Sequence, residues 1–71
     1  MYIGKQVKEL RETRQMSLTE LAEKSGVQIA TLSRIEHLKM TGTLESHMNI
    51  AMALGVDITK LYTNIIKEED K

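Results

Sequence analysis

The sequence predicts an all-α domain of five short helices, and three observations lead there. Proline is absent and Tyr2 and Tyr62 are the only aromatic residues, while Leu, Ile, Met, Glu and Lys dominate the 71 residues. That composition favours helix over strand. Apolar residues recur at helical spacing rather than in alternation, and cap or stop residues fall between the stripes at short intervals. So short a chain sits near the lower size limit for an unaided core, which allows one domain at most. We place that domain at 1–66 and read the charged end "KEEDK", residues 67–71, as a fraying tail.

The first helix runs from about Ile3 to Arg14 on the apolar positions 3, 7 and 10. The second begins at a capping box, Ser17-Leu18-Thr19-Glu20: the Ser17 hydroxyl accepts the Glu20 amide, and the Glu20 carboxylate reaches back to the Ser17 amide. Met16 and Leu21 stand at the spacing of a hydrophobic staple. This helix buries Leu18, Leu21 and Ala22 and stops at Ser25, with Gly26 supplying a left-handed residue. A third helix, about Gln28 to His37, is buried through Leu32 and Ile35. After the loop "LKMTG", Thr43 caps a fourth helix, Leu44 to Leu54, with Leu44, Met48, Ala51 and Leu54 on its core side, Ile50 beside them, and Gly55 ending it. Asp57 caps a fifth, with apolar Ile58, Leu61, Tyr62 and Ile65.

Composition also removes whole classes of function. No cysteine is present, so disulfides and thiolate metal sites are ruled out, and a reducing, cytoplasmic setting fits. No apolar run reaches the roughly 20 residues of a membrane span, and "MYIGKQVKEL" lacks the apolar core of a secretory signal. His37 and His47 are ten apart with no matched carboxylate spacing, so no metal or other cofactor is expected. No Gly-rich phosphate loop or nucleophile–base set appears, and short helices leave little room for a substrate pocket. An enzyme acting on a small molecule is therefore rejected. The formal net charge is zero, an argument against nucleic-acid binding, yet the charge is uneven. Residues 1–40 hold seven Lys/Arg against five Glu, and residues 41–71 hold three Lys against five Asp/Glu.

Two short helices joined at Gly26 form either an ordinary helical corner or a DNA-reading helix-turn-helix. Three details favour the second reading. Ala22 is small where the helices cross closely, Gly26 sits where the turn needs positive φ, and the third helix lacks the Glu and Lys of an ordinary wet face. A helix entering the major groove must keep carboxylates from phosphates and present small groups, a hydrogen-bonder and an Arg. Ile29, Ala30, Thr31, Ser33 and Arg34 fit that requirement. Ser17 and Thr19, with the amides opening the second helix, suit a phosphate. For Ser17 the bland reading is the cap alone, and both roles can coexist.

"SLTELAEKSGVQIATLSRIE" resembles the helix-turn-helix of the phage-repressor (Cro/XRE-like) family, and "TLESHMNIAMALGVDITKLY" looks like that family's fourth and fifth helices. The likeness covers roughly residues 3–63 through correctly spaced Leu-Ala, Gly-Val and Arg-Ile-Glu landmarks. It implies a five-helix, λ-repressor-like fold with the third helix as recognition helix. It further implies a structural ion pair between Arg11 and Glu36, base readout by Gln28, Ile29, Ala30, Thr31 and Arg34, and phosphate contacts from Arg14, Ser33, Lys39 and Thr41. For Arg14 and Lys39 the bland reading is a solvated charge.

The departures are specific. Gln28 and Ile29 stand where the family often has Ser and Gln, and Ile29 cannot hydrogen-bond adenine. Leu18 replaces a common Gln, Leu38 replaces a Gly, and Gly42 replaces a Pro. Readout then rests on Arg34 to guanine and on methyl contacts to thymine. His47 takes a usually apolar position and is expected to be half-buried and hydrogen-bonded. Met40, Met48 and Met52 can fill gaps. Alternatively Leu38, Met40 and Met52 form an exposed partner surface, extended by Ile65 and Ile66 at a dimer contact. The expected protein is a stand-alone regulator, a repressor that binds double-stranded DNA as a homodimer with no sensor domain. The alternative is an antitoxin-like adaptor that keeps the fold, binds a protein partner and holds DNA weakly alone.

Overall fold

A computed structural model describes residues 2–63; Ile65, Ile66 and the 67–71 tail lie outside them. Four α-helices follow one another, α1 (Gly4–Thr13), α2 (Leu18–Ser25), α3 (Ile29–Glu36) and α4 (Leu44–Leu54), and a 3-10 helix covers Ile58–Tyr62. No strand occurs among the described residues. α2 packs on both α3 and α4, α4 rests on the 3-10 helix, and α1 crosses α3 and the 3-10 helix. Ile3, Val7, Leu21, Leu32, Ile35, Ile50 and Leu61 are fully buried between them. Each such side chain contributes about 1.5–3 kcal/mol of apolar burial.

The ends of the helices follow local chemistry. The Ser17 hydroxyl accepts from the Glu20 amide at 3.0 Å, and Thr43 does the same for Ser46 at 3.1 Å. The second half of the predicted box is replaced: the Glu20 carboxylate faces Lys24 at 3.7 Å instead of turning back to Ser17. Met16 and Leu21 both reach the core, whereas Leu18 and Ala22 are half-buried at its margin. Gly26, at φ 76°, donates its amide to the Ala22 carbonyl, and the buried Ser25 hydroxyl accepts from the Val27 amide at 3.1 Å. Together they fix the sharp turn into α3.

The predicted fifth α-helix is a 3-10 helix. Asp57 accepts from the Thr59 amide at 2.9 Å and from the Thr59 hydroxyl at 2.8 Å, a turn two residues long. The Lys60 amide then reaches the Asp57 carbonyl in the tighter i to i+3 pattern. Ile58 and Leu61, three apart, fall on one side in that winding.

The core face of α4 also differs from the expected one. Leu44 and Met48 are 66% and 50% exposed, and the helix buries His47, Ile50, Ala51 and Leu54 instead. Apolar residues surround most of α4, so apolarity alone does not choose a side. The choice is made by His47, only 3% exposed, whose two ring nitrogens both find partners. Nε2 lies 2.6 Å from the Thr41 carbonyl and Nδ1 lies 2.8 Å from the Tyr62 hydroxyl. A buried polar ring is tolerated when paired in this way.

Candidate nucleic-acid interface

α3 is held by its inner side. Leu32 and Ile35 are fully buried, and its last residue, Glu36, is clamped to α1. Arg11 Nε meets Glu36 Oε2 at 2.8 Å, Nη2 meets Oε1 at 3.0 Å, and Nη1 donates to the Met16 carbonyl at 2.9 Å. One guanidinium thus joins α1, the turn before α2 and the end of α3. The carboxylate holds the Arg11 guanidinium above its ordinary pKa, against the smaller opposing effect of burial.

The outer side of α3 is free. Gln28, Ile29, Ala30 and Arg34 are exposed, and Thr31 and Ser33 are partly so. This surface carries no carboxylate, and Arg34 has no ion-pair partner among the described residues. Gln28 is exposed and makes no side-chain cap bond to the helix. An open crevice of about 360 Å³ separates this end of α3 from α2, with Thr19, Ala22, Gln28 and Ile29 on its walls and the Glu23 carboxylate of α2 at its side. Ser17 and Thr19 are exposed at the mouth of α2, whose first amides have no carbonyl within the helix.

Of the four remaining expected phosphate ligands, Arg14, Thr41 and Ser33 make intramolecular contacts. Arg14 donates through Nε to the Leu54 carbonyl at 2.7 Å and through Nη1 to the Leu10 carbonyl at 3.0 Å, which ties α1 to the end of α4. Thr41 is half-buried, its carbonyl on His47 and its hydroxyl on the Gly42 carbonyl at 3.3 Å. The Ser33 carbonyl and hydroxyl both face His37 Nδ1, at 2.7 and 3.4 Å. Lys39 is exposed just past α3.

The expected partner surface is not one patch. Leu38 is 50% exposed and lies over Gly4, at the start of α1. Met52 is 77% exposed near the end of α4, which Arg14 connects to the other end of α1. The ten residues of α1 set those ends about 15 Å apart. Met40 is half-buried against the core, so it does not join them. Sequence reading missed both the Arg14 contact and the exposure of Leu44 and Met48. No local pattern signals a bond between residues 40 apart.

Two helices crossing at a left-handed glycine, with the second presenting an open, carboxylate-free face, define a helix-turn-helix domain. The chain belongs to the HTH_3 helix-turn-helix family, the Cro/C1-type, XRE-like group of DNA-binding domains, whose family model matches residues 7–61. It is similar to an HTH_3 family transcriptional regulator from Vibrio cholerae, at 32% identity and a TM-score of 0.82 over 87% of this chain. It spans about a third of that protein, 35% of its length. No curated protein matches the chain. No helix among the described residues is long and apolar enough to cross a membrane.

Proposed function

We propose that this chain is a sequence-specific regulator of transcription, acting as a repressor, that lays α3 in the major groove of double-stranded DNA. The observation that carries this reading is the outer face of α3: free of carboxylate, tipped by Arg34, which has no ion-pair partner among the described residues, and locked from behind by Leu32, Ile35 and the Arg11–Glu36 clamp. The regulator named among its structural relatives supports the same reading. Arg34 reads guanine, Gln28 offers a hydrogen bond, and Ile29, Ala30 and Thr31 meet thymine methyls. Ser17, Thr19 and Lys39 position the domain on phosphates, the first two beside the open amides of α2. Arg14, Ser33 and Thr41 keep their internal partners and contribute little to phosphate binding.

One Arg per copy discriminates weakly, since a good bidentate contact is worth roughly 1–3 kcal/mol. Two copies on a two-fold operator, with half-sites about one helical turn apart, supply the rest. The test is selection of duplexes from a random pool, followed by binding of the enriched sequence to the Arg34→Ala variant. A two-fold motif that the variant no longer distinguishes from random duplex supports the reading. If no sequence enriches, the regulator reading fails for this chain. The alternative, a partner-binding module with weak DNA affinity of its own, then takes its place, and the exposed apolar side of α4 is what favours it.

A further inference from the structure

We infer that His37 binds a DNA phosphate only as the imidazolium, so that the chain takes up a proton at the end of α3 when it docks on DNA. His37 caps α3 and is exposed. It follows Ala30, Ser33 and Arg34 at spacings of seven, four and three, which sets it on their side of the helix, away from buried Leu32 and Ile35.

The state of one ring nitrogen is fixed by its partner. Nδ1 lies 2.7 Å from the Ser33 carbonyl, and a carbonyl oxygen only accepts, so Nδ1 carries a hydrogen whether the ring is neutral or charged. The Ser33 hydroxyl, 3.4 Å away, adapts by rotating. A change of charge therefore falls on Nε2, which has no hydrogen-bond partner among the described residues. Neutral, Nε2 offers a lone pair; protonated, it offers an N–H.

His37 stands past the end of α3, about 12 Å along the helix from Ile29. The first residues of a recognition helix meet base edges, and its far end lies toward the backbone. A phosphate oxygen is itself an acceptor, so a neutral ring meets it lone pair to lone pair and only the imidazolium donates. No carboxylate of the chain takes that place: Glu36 is held by Arg11, and His37 has no ion pair among the described residues. The charges beside it on its own segment are Arg34 and Lys39. On α1, which meets this end of α3 at Gly4 and Arg11, they are Lys5, Lys8, Glu9 and Glu12. On α2, which meets the other end across the crevice, the lining charge is Glu23. Arg34 and Lys39 oppose a third positive charge in the free chain, and phosphates remove that opposition. DNA thus prefers the protonated chain, and affinity rises as pH falls.

This contact rests on the function proposed above. Duplex selection and fluorescence anisotropy with the full chain, at about pH 8 and about pH 6 and constant ionic strength, test it. The enriched duplex should bind about tenfold more tightly at the lower pH, through one charge-assisted bond in each copy. The log–log salt slope should steepen there by roughly 0.9 per copy. His37→Gln should bind equally weakly at both pH values. His37→Lys, charged at both, should match the unaltered chain at the lower pH and lose the pH dependence. By NMR the His37 ring should stay protonated to higher pH in the complex than in the free chain. His47, the other histidine, is buried with both nitrogens engaged, so any effect of its titration would persist in His37→Gln. An enriched duplex bound equally at both pH values, or a pH dependence that His37→Gln retains, overturns the inference and leaves the DNA reading standing. Tighter binding at the higher pH does the same, since it would set the neutral Nε2 on a base amino group. No enriched duplex at either pH overturns both.

Discussion

Arg11 and Glu36 show how much one side-chain pair can decide here. Their carboxylate–guanidinium contact is almost fully shielded, with side-chain exposures of 14% and 5%. Removing one partner leaves the other charge buried and unmatched, so Arg11→Ala and Glu36→Ala should each cost about 2–4 kcal/mol. In urea unfolding the double variant should cost clearly less than the two singles together. Simple additivity would mean that the pair does not act as a unit.

Backbone strain at single residues gives a second prediction. Gln15 and Leu38 both hold positive φ, 54° and 60°, at helix ends where glycine is the usual choice. Gln15 is exposed, and a left-handed non-glycine residue costs about 1–2 kcal/mol. After the entropy that glycine loses on folding, Gln15→Gly should stabilise the domain by roughly 0.5 kcal/mol. Leu38→Gly should gain less, because the Leu38 side chain also covers Gly4. Thermal melts of the two variants order them. The strain at Gln15 was not legible in the sequence, where it has no feature of a turn, whereas Leu38 carried a signal, standing where the family has a Gly.

Among the elements, the ends were legible and the faces were less so. Ser17, Gly26, Thr43, Gly55 and Asp57 each act locally, through a hydroxyl, a carboxylate or a positive φ, and local chemistry is what a sequence records. The face of α4 depends on what lies 15 residues away, where the Tyr62 hydroxyl waits for His47. No periodicity carries that information. The winding of the fifth element was likewise decided by the Thr59 contacts to Asp57 rather than by apolar spacing.

Gly4 and Gly26 illustrate two different demands of these elements. A Cβ on Gly26 meets open space, so Gly26→Ala is opposed only by its φ of 76° and should cost about 1 kcal/mol. A Cβ on Gly4 would collide with the Ile35 backbone carbonyl, where α1 begins against the end of α3. Gly4→Ala should therefore cost more than Gly26→Ala, about 3 kcal/mol, by forcing α1 away from α3. Equal losses in urea unfolding would contradict that close approach.

The cap of the 3-10 helix carries a sign. Hydrogen bonds from the Thr59 amide and then its hydroxyl hold the Asp57 carboxyl below its ordinary value of 3.8. A depressed carboxyl stabilises the fold above its unfolded value, and that gain is lost as pH falls through the lower, folded value. Asp57→Asn keeps an acceptor without a charge. It should flatten the acid limb of melting temperature against pH, by a small amount because the group is exposed.

Over the whole molecule, zero net charge and a small set of free cations limit how strongly it holds DNA. Arg34 and Lys39 are the cations we place at the interface, two per copy. Of these only Lys39 is placed on phosphate, so with roughly 0.9 counterions released per phosphate neutralised a dimer should lose affinity with a log–log salt slope of about −2. Fluorescence anisotropy from low to moderate salt measures it. A slope near −8 would mean that Lys5, Lys8 or Arg14 also reach phosphates and that the domain docks in another orientation. The family and the helix-turn-helix were legible because spacing survives in sequence, whereas the division of Arg14 from Arg34, one internal and one free, required the fold.

Whether α3 reads DNA is decided by following the backbone amides of the labelled chain by NMR while a selected duplex is added. Leu18, Thr19 and the outer residues of α3, Gln28 to Thr31 and Arg34, should shift first and most. Shifts confined to Leu38 or to the Leu44–Met52 ridge, with α3 silent, would contradict α3 as the element that reads DNA.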